Sequence, residues 1–256
     1  MTRFCARFIP NVFVIVIAVF IGLPNFIWFY PFLISKTSNI FFIIDSFLAL
    51  FFIIMWCWCW LYTGIADPGR VKDDLEAHGL LKRVQQGDIP ECLRNLEICH
   101  ICNLPIPYSA CHCKSCGTCI LRQDHHCGVT GQCIGDKNFK SFVLSFLYGG
   151  LACLSILPTA ISTLRNDNYF LGAMVMIIYS GLFAFVLLSS FISFSLNSIK
   201  SLSVIDQING RSKKTSFKKL FMTFGNTWYE RLIPIQKHTT DYAWPGIIWD
   251  TDDSSL

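Results

Sequence analysis

The chain has 256 residues, 53% hydrophobic and 15% charged, with 23 phenylalanines and a mean hydropathy of +0.47. So apolar a composition excludes a soluble enzyme and a disordered chain, and a net charge of +4 is too small to imply nucleic acid. Thirteen cysteines, nine of them from Cys92 to Cys133, point to two parts, a membrane body and a compact cysteine-rich module.

Four apolar runs, at 8–30, 40–61, 142–161 and 169–196, follow in chain order. Each reaches the roughly 20 residues a helix needs to cross about 30 Å of hydrocarbon. Backbone groups in lipid must pair within their own segment, so the runs predict helices and not strands. Pro24 and Asn25 predict a kink or an early end in the first run. Arg3 and Arg7 before it also fit a signal peptide, but no small-x-small cleavage site follows, which favours a spanning helix. Of the 21 lysines and arginines, 19 lie in the two termini and in 67–140, while the short loops hold only Lys36 and Arg165. The positive-inside rule then predicts cytosolic termini and a cytosolic middle segment. The cysteine cluster thus faces a reducing compartment, where such spacing means metal or catalysis more than disulfides. Segment 71–91 mixes charge and leucine and predicts one short helix leading into the cluster. No internal repeat, glycine-rich phosphate loop or linker is read along the chain.

The cluster runs Cys99-His-Ile-Cys102, then nine residues, then His112-Cys113-Lys-Ser-Cys116-Gly-Thr-Cys119. Asp124-His125-His126-Cys127 follows after four more residues, and Cys133 lies six beyond Cys127. Overlapping Cys-x-x-Cys pairs with interspersed histidines are a strong zinc signal, and structural zinc takes four thiolate or imidazole ligands. Cys99, Cys102, His112, Cys113, Cys116, Cys119, His126 and Cys133 would close two such sites. Spacing alone leaves their partition open. Cys127 and His125 then stand outside the ligand set, beside Asp124. A thiol next to an imidazole is a candidate nucleophile, and a carboxylate can fix the tautomer of that imidazole. The residues alone also allow Cys127 to be a spare ligand or a buried thiol. Cys92, Cys111 and His100 read as structural or as substitute ligands.

This pattern resembles the DHHC family of protein S-acyltransferases (palmitoyltransferases) from Cys99 through Phe142, with Asn138 included. Asp67-Pro68-Gly69 resembles the family's Asp-Pro-Gly motif, and Phe224-Gly225 with Leu232-Ile233-Pro234 resembles part of its C-terminal motif. The resemblance implies an α-helical integral membrane protein with four transmembrane helices and a cytosolic double-zinc module between helices two and three. Its parts would be 1–66 (two helices), 67–140 (the module), 141–196 (two helices) and 197–256 (a cytosolic tail). It implies one structural zinc on Cys99, Cys102, His112 and Cys119, and another on Cys113, Cys116, His126 and Cys133. It implies Cys127 as acyl acceptor, His125 as base and Asp124 as its orienting partner. The reaction would carry a fatty acyl group, palmitoyl above all, from acyl-CoA to cysteines of target proteins in two ping-pong steps.

Several positions depart from the family. Gly128-Val129 stand for Pro-Trp, Gln132 for Asn, Pro107-Tyr108-Ser109 for Pro-Pro-Arg, Ser203-Val204-Ile205-Asp206 for Thr-Thr-x-Glu, and Lys219 for an Asn. Each touches positioning rather than nucleophile or metal, so a divergent but active enzyme is expected. They also support the rival reading of a catalytically silent membrane scaffold. A membrane ubiquitin ligase fits the short gap before His112 poorly. Asp45, inside the second run, reads as an interfacial aspartate, and the tryptophans of 56–60 as an aromatic belt. The basic run 211–219 reads as contact with anionic lipid, and 250–256 as disordered. Expected partners are acyl-CoA, the bilayer and proteins with cytosolic, membrane-proximal cysteines, with an accessory subunit allowed and no nucleic acid. The expected location is an endomembrane (Golgi or endoplasmic reticulum) or the plasma membrane. Ala152 and Cys153 fall where the family's acyl cavity narrows. Ala152→Phe is therefore expected to shorten the preferred acyl chain, as read by competition among acyl-CoA donors of graded length.

Overall fold

The computed structural model describes residues 40–165, 168–200, 223–225, 227–235, 244 and 247. The first apolar run, Ser203–Asp206, Lys219, the basic run 211–219 and 250–256 lie outside these residues. The described residues fall into two units, one with those of 40–62 and 141–196, the other with those of 63–140 and those from 197 on.

The first unit is helical. It contains most of α1 (Ile40–Ile65), α4 (Phe139–Thr163) and α5 (Phe170–Lys200). All three are long and apolar enough to cross a membrane. Lipid offers no hydrophobic drive for helices to associate, so close packing of small residues takes its place. At Gly149 an added Cβ would stand 2.9 Å from Trp56, and at Gly150 it would stand 2.6 Å from Leu188. Cys59, Leu144 and Tyr148 form a small buried cluster with Phe52, Met55, Trp56 and Leu147 around it. Phe142, Phe146 and Phe194 add aromatic contacts at 4.9–5.6 Å. The Asp45 carboxylate accepts a hydrogen bond of 3.0 Å from Thr159 Oγ1, a buried hydroxyl on α4. A neighbouring helix thus supplies a donor to an acid inside an apolar run.

The second unit is built from short pieces. Segment 71–91 forms two helices, α2 (Val71–Ala77) and α3 (Leu81–Gln85), with a 3₁₀ turn following at Glu91–Leu93. The expected single helix breaks because Gly79 adopts φ +71°, a left-handed stop. Three antiparallel hairpins follow: β1 (Glu97–Cys99) with β2 (Leu104–Ile106), β3 (Cys111–Cys113) with β4 (Thr118–Ile120), and β5 (His125–Cys127) with β6 (Gln132–Ile134).

Their registers are identical. Cys99 pairs with Leu104, Cys113 with Thr118 and Cys127 with Gln132. The turn closes at Asn103, Gly117 and Gly131, all at positive φ (53°, 66° and 70°). Corresponding residues lie 14 apart, as Cys99, Cys113 and Cys127 do. The chain therefore does contain an internal repeat, contrary to the sequence reading. Strands of three residues carry too little pattern to reveal it, and cysteine, histidine and the turn residue are nearly all the copies share.

Val71, Leu75, Leu81, Val84, Leu93, Leu104, Leu121 and Trp244 form the core beneath the hairpins. The Trp244 indole donates to Asp74 Oδ2 at 2.6 Å, and Lys137 Nζ donates to Asp74 Oδ1 at 3.3 Å, so the buried carboxylate is satisfied from both sides. Lys140 is equally enclosed, its ammonium donating to the backbone oxygens of Glu230 and Ile235. The residues just before Lys140 meet the end of α1. Gln132 Nε2 donates to the carbonyls of Thr63 (2.5 Å) and Ala66 (3.0 Å), and Asn138 Nδ2 donates to Thr63 (3.2 Å) and Cys133 (3.0 Å). These amides satisfy carbonyls that a helix end leaves without intrahelical donors.

The Asp67-Pro68-Gly69 turn is used through its backbone. Gly69 O accepts from Leu121 N at 2.7 Å, and Pro68 O accepts from Lys137 N at 3.4 Å. Gly135 lies so close to this turn that a Cβ there would stand 2.5 Å from Pro68 O and 2.7 Å from Ile120. Gly135→Ala is accordingly expected to cost about 1–3 kcal/mol of stability, measured as a lower melting temperature of the detergent-solubilised protein.

Candidate functional site

The repeat arranges the ligands. Each hairpin presents two residues at its turn and two at the middle of its strands. The turn of the first, Cys99 and Cys102, gathers with the middle pair of the second, His112 and Cys119. The turn of the second, Cys113 and Cys116, gathers with the middle pair of the third, His126 and Cys133. Within each group all ligand atoms lie within 4.8 Å of one another. The Nδ1 of His112 lies 3.2 Å from Cys102 Sγ and 3.8 Å from Cys99 and Cys119. The Nδ1 of His126 lies 3.4–3.6 Å from Cys113, Cys116 and Cys133, and Cys116 lies 3.5 Å from Cys133.

These separations test the fit to zinc. Zn–S bonds of about 2.3 Å and Zn–N bonds of about 2.0–2.1 Å in a tetrahedron put sulfur and nitrogen about 3.6 Å apart. The distances bracket that value. The chemistry of the donors agrees. Burial and the neighbouring Cys99 and Cys102 push the Cys119 thiol far above its ordinary value, and burial with Cys113 and Cys116 does the same to Cys133. Three thiolates crowded this closely need a cation between them. Both groups fit zinc, and each is a closed set of four. All twelve cysteines among the described residues are free of disulfides.

Among the described residues the turn of the third hairpin has no fourth hairpin to meet. The chain passes directly into α4. Cys127 is thus a turn cysteine outside both groups, and it is largely buried. His125 stands two residues before it. Its Nδ1 donates to Asp124 Oδ2 at 2.8 Å, which leaves Nε2 for the hydrogen bond with the Cys127 sulfur. Asp124 is itself buried, and its backbone N–H donates to Ile134 O at 2.9 Å.

The electrostatics of the pair follow from these contacts. Burial opposes charge on His125, but its hydrogen bonds to Asp124 and Cys127 prevail and push its pKa up to about 9. Burial also opposes a thiolate on Cys127. Hydrogen bonds from His125, from the Thr130 hydroxyl and from the backbone N–H groups of Thr130 and Val129 outweigh it and bring the pKa down to about 7. Both shifts favour an imidazolium beside a thiolate, with the Asp124 side chain behind the ring. Such a sulfur can attack an electrophilic carbonyl, and such a ring can return a proton to a leaving thiolate.

The family model of the DHHC palmitoyltransferase matches residues 93–220, half of the chain. The chain belongs to this family. DHHC proteins similar to it include palmitoyltransferase ZDHHC15A of Danio rerio, 36% identical over 36% of this chain and 29% of the relative. Another is the probable protein S-acyltransferase 13 of Arabidopsis thaliana, 33% identical over 42% of this chain and 40% of the relative. A third is palmitoyltransferase ERF2 of Candida glabrata, 29% identical over 41% of this chain and 36% of the relative. The matches thus span between about three tenths and two fifths of those relatives' lengths. Membership, with the three apolar helices, makes the chain a membrane protein.

The departures from the DHHC pattern have definite places. Gly128 faces open space and Val129 is 53% exposed, so the missing Pro-Trp pair belongs to an open turn tip. Gln132 is fully buried and serves as an anchor to Thr63 and Ala66. Tyr108 is exposed. Of the spare residues, Cys92 packs against the core cluster, Cys111 pairs with Ile120 across the second hairpin, and His100 is exposed. Sequence reasoning missed two residues. Gln123 is buried and its Nε2 donates to Cys133 Sγ at 3.7 Å. Thr130 touches Cys127, and its signal was the position three after a turn cysteine, where the earlier copies have Cys102 and Cys116. Cys102→Ala is expected to lower metal content from two zinc ions per chain to about one, measured by elemental analysis of the purified protein.

Proposed function

We infer that the chain is a protein S-acyltransferase that moves a fatty acyl group, palmitoyl above all, from acyl-CoA to cysteine thiols of target proteins. The hydrogen-bonded series Asp124–His125–Cys127, with its sulfur outside both metal groups, carries this reading. In the first step the Cys127 thiolate attacks the thioester carbonyl carbon. A new S–C bond forms, the bond to the coenzyme sulfur breaks, and that sulfur takes the proton from His125. In the second step the target thiol gives its proton to His125 and attacks the acyl-enzyme, and Cys127 leaves as thiolate. Asp124 holds the ring in one tautomer and balances its charge. The eight residues named above would hold zinc, which would supply rigid closed sites that fix the hairpins.

The lysine and arginine distribution supports cytosolic termini and a cytosolic module, with the divisions 1–66, 67–140, 141–196 and 197–256. Substrates would then be proteins with membrane-proximal cytosolic cysteines, in an endomembrane or the plasma membrane, with or without an accessory subunit.

Incubating the purified protein with labelled palmitoyl-CoA is expected to give a hydroxylamine-sensitive adduct on Cys127. Cys127→Ser should abolish it, and His125→Ala should slow it by about 10²–10⁴-fold. A wild-type protein that binds two zinc ions and takes no label would instead be the silent scaffold.

A further inference from the structure

Asp124 and His125 are neighbours in sequence, and their side chains are bonded at 2.8 Å. Neighbours on a regular strand point to opposite faces and do not meet in this way. The backbone shows the irregularity that turns Asp124 toward the ring. Ile134 is the register partner of His125, yet its carbonyl accepts from the Asp124 N–H at 2.9 Å. Two residues facing one make a β-bulge, a device that re-aims a side chain. The next bond along runs from Asp136 N–H to Leu121 O at 3.0 Å and sets 121–124 against 134–136. The first stretch is one residue longer than the second, so its backbone has to fold the extra residue away.

Arg122 absorbs it. Arg122 and Asn103 are the residues other than glycine with positive φ among the described residues, and Asn103 closes a hairpin turn. Arg122 closes none, and its φ is 45°. A residue with a Cβ is strained there, and such a conformation persists only where its surroundings hold it. The hold is visible. Arg122 Nη1 donates to Asp136 Oδ1 at 2.9 Å, and the Asp136 side chain is buried. Asp136 thus grips the irregular stretch twice, by its N–H at Leu121 and by its carboxylate at Arg122. Leu121 is fixed from its other side, its own N–H donating to Gly69 O at 2.7 Å. Gln123, between Arg122 and Asp124, is buried.

We propose that Arg122 is a positioning residue, its ion pair with Asp136 holding the left-handed backbone that aims Asp124 at His125. This rests on the acyl-enzyme reading, in which Asp124 orients the His125 ring. Arg122 makes no bond to the reacting atoms and carries no proton in either step.

The test compares wild type, Arg122→Ala, Arg122→Gly and Asp136→Ala in two assays, initial self-acylation by palmitoyl-CoA and alkylation of Cys127 by iodoacetamide, with zinc content measured alongside. Arg122→Ala loses the ion pair and disfavours the left-handed backbone. It is expected to slow self-acylation about tenfold or more with two zinc ions retained, and Asp136→Ala is expected to match it. Arg122→Gly loses the same ion pair but takes positive φ freely, so it is expected to recover most of the rate. In an Asp124→Ala background Arg122→Ala is expected to cost no further rate, because the carboxylate it aims is gone. Wild-type rates in Arg122→Ala would overturn the proposal. So would a full further loss in the Asp124→Ala background, or an Arg122→Gly as slow as Arg122→Ala, which would mean that the guanidinium itself meets the donor. If Arg122→Ala loses zinc, Asp136→Asn, which keeps the shape and removes the charge, takes its place against wild type and in the Asp124→Ala background. A wild type that holds two zinc ions and takes no acyl group refutes the acyl-enzyme instead. The alkylation rates, slowed in Arg122→Ala and recovered in Arg122→Gly, then still decide whether Arg122 acts through its backbone.

Discussion

Tetrahedral zinc demands four ligands, and each hairpin can bring only two of them to one place. That constraint orders the second unit. A metal in each group would join the turn of one hairpin to the strand middles of the next, so hairpins can be added only in sequence. A row of three leaves its two ends over. At one end the strand middles of the first hairpin, Ile98 and Pro105, carry no ligand chemistry. At the other end the turn of the third has nothing to bind. The free sulfur of Cys127 is therefore an end effect of the repeat, much as terminal repeats of a solenoid differ from those between them.

The same local geometry serves two kinds of chemistry. A pair of N–H groups aimed at a turn sulfur favours its thiolate, whatever the sulfur does next. Histidine is likewise used in two ways. His112 and His126 turn Nδ1 toward the sulfurs of their groups, whereas His125 turns Nδ1 toward a carboxylate and keeps its other nitrogen for Cys127. Adjacent histidines can differ so sharply because neighbours on a strand point to opposite faces. One alternation of the chain separates a histidine of a metal-binding group from one bonded to a carboxylate.

The eight candidate ligands and the odd thiol could be read from residue types, since thiolate and imidazole at close spacing have few other uses. Their division into two groups could not, because it depends on how the hairpins meet. Three of the four apolar runs correspond to described helices, but their ends were harder to place. Helix α1 runs to Ile65, beyond the apolar run, where Gln132 and Asn138 supply donors to Thr63 and Ala66. Those donors lie more than 60 positions away, beyond the reach of any local pattern. Distance also hid the role of Gln132, which looked like a defect in a motif and is a bond to a helix end. The partner of Asp45 could not be read, because Thr159 is on another helix. The split of 71–91 had a local signal in Gly79, outweighed on reading by the leucines around it.

The core of the second unit closes late in the chain. Trp244, fully buried, bonds to Asp74 across 170 positions, and Lys140 reaches Glu230 and Ile235 across 90 or more. At roughly 5–20 residues per second of synthesis, the hairpins exist for several seconds before the indole that fills the space beneath them is made. During biogenesis they are held by their own short ladders and by whatever metal they have already captured. Zinc reaching the nascent chain in that interval would hold the hairpins before the hydrophobic floor is sealed by Trp244.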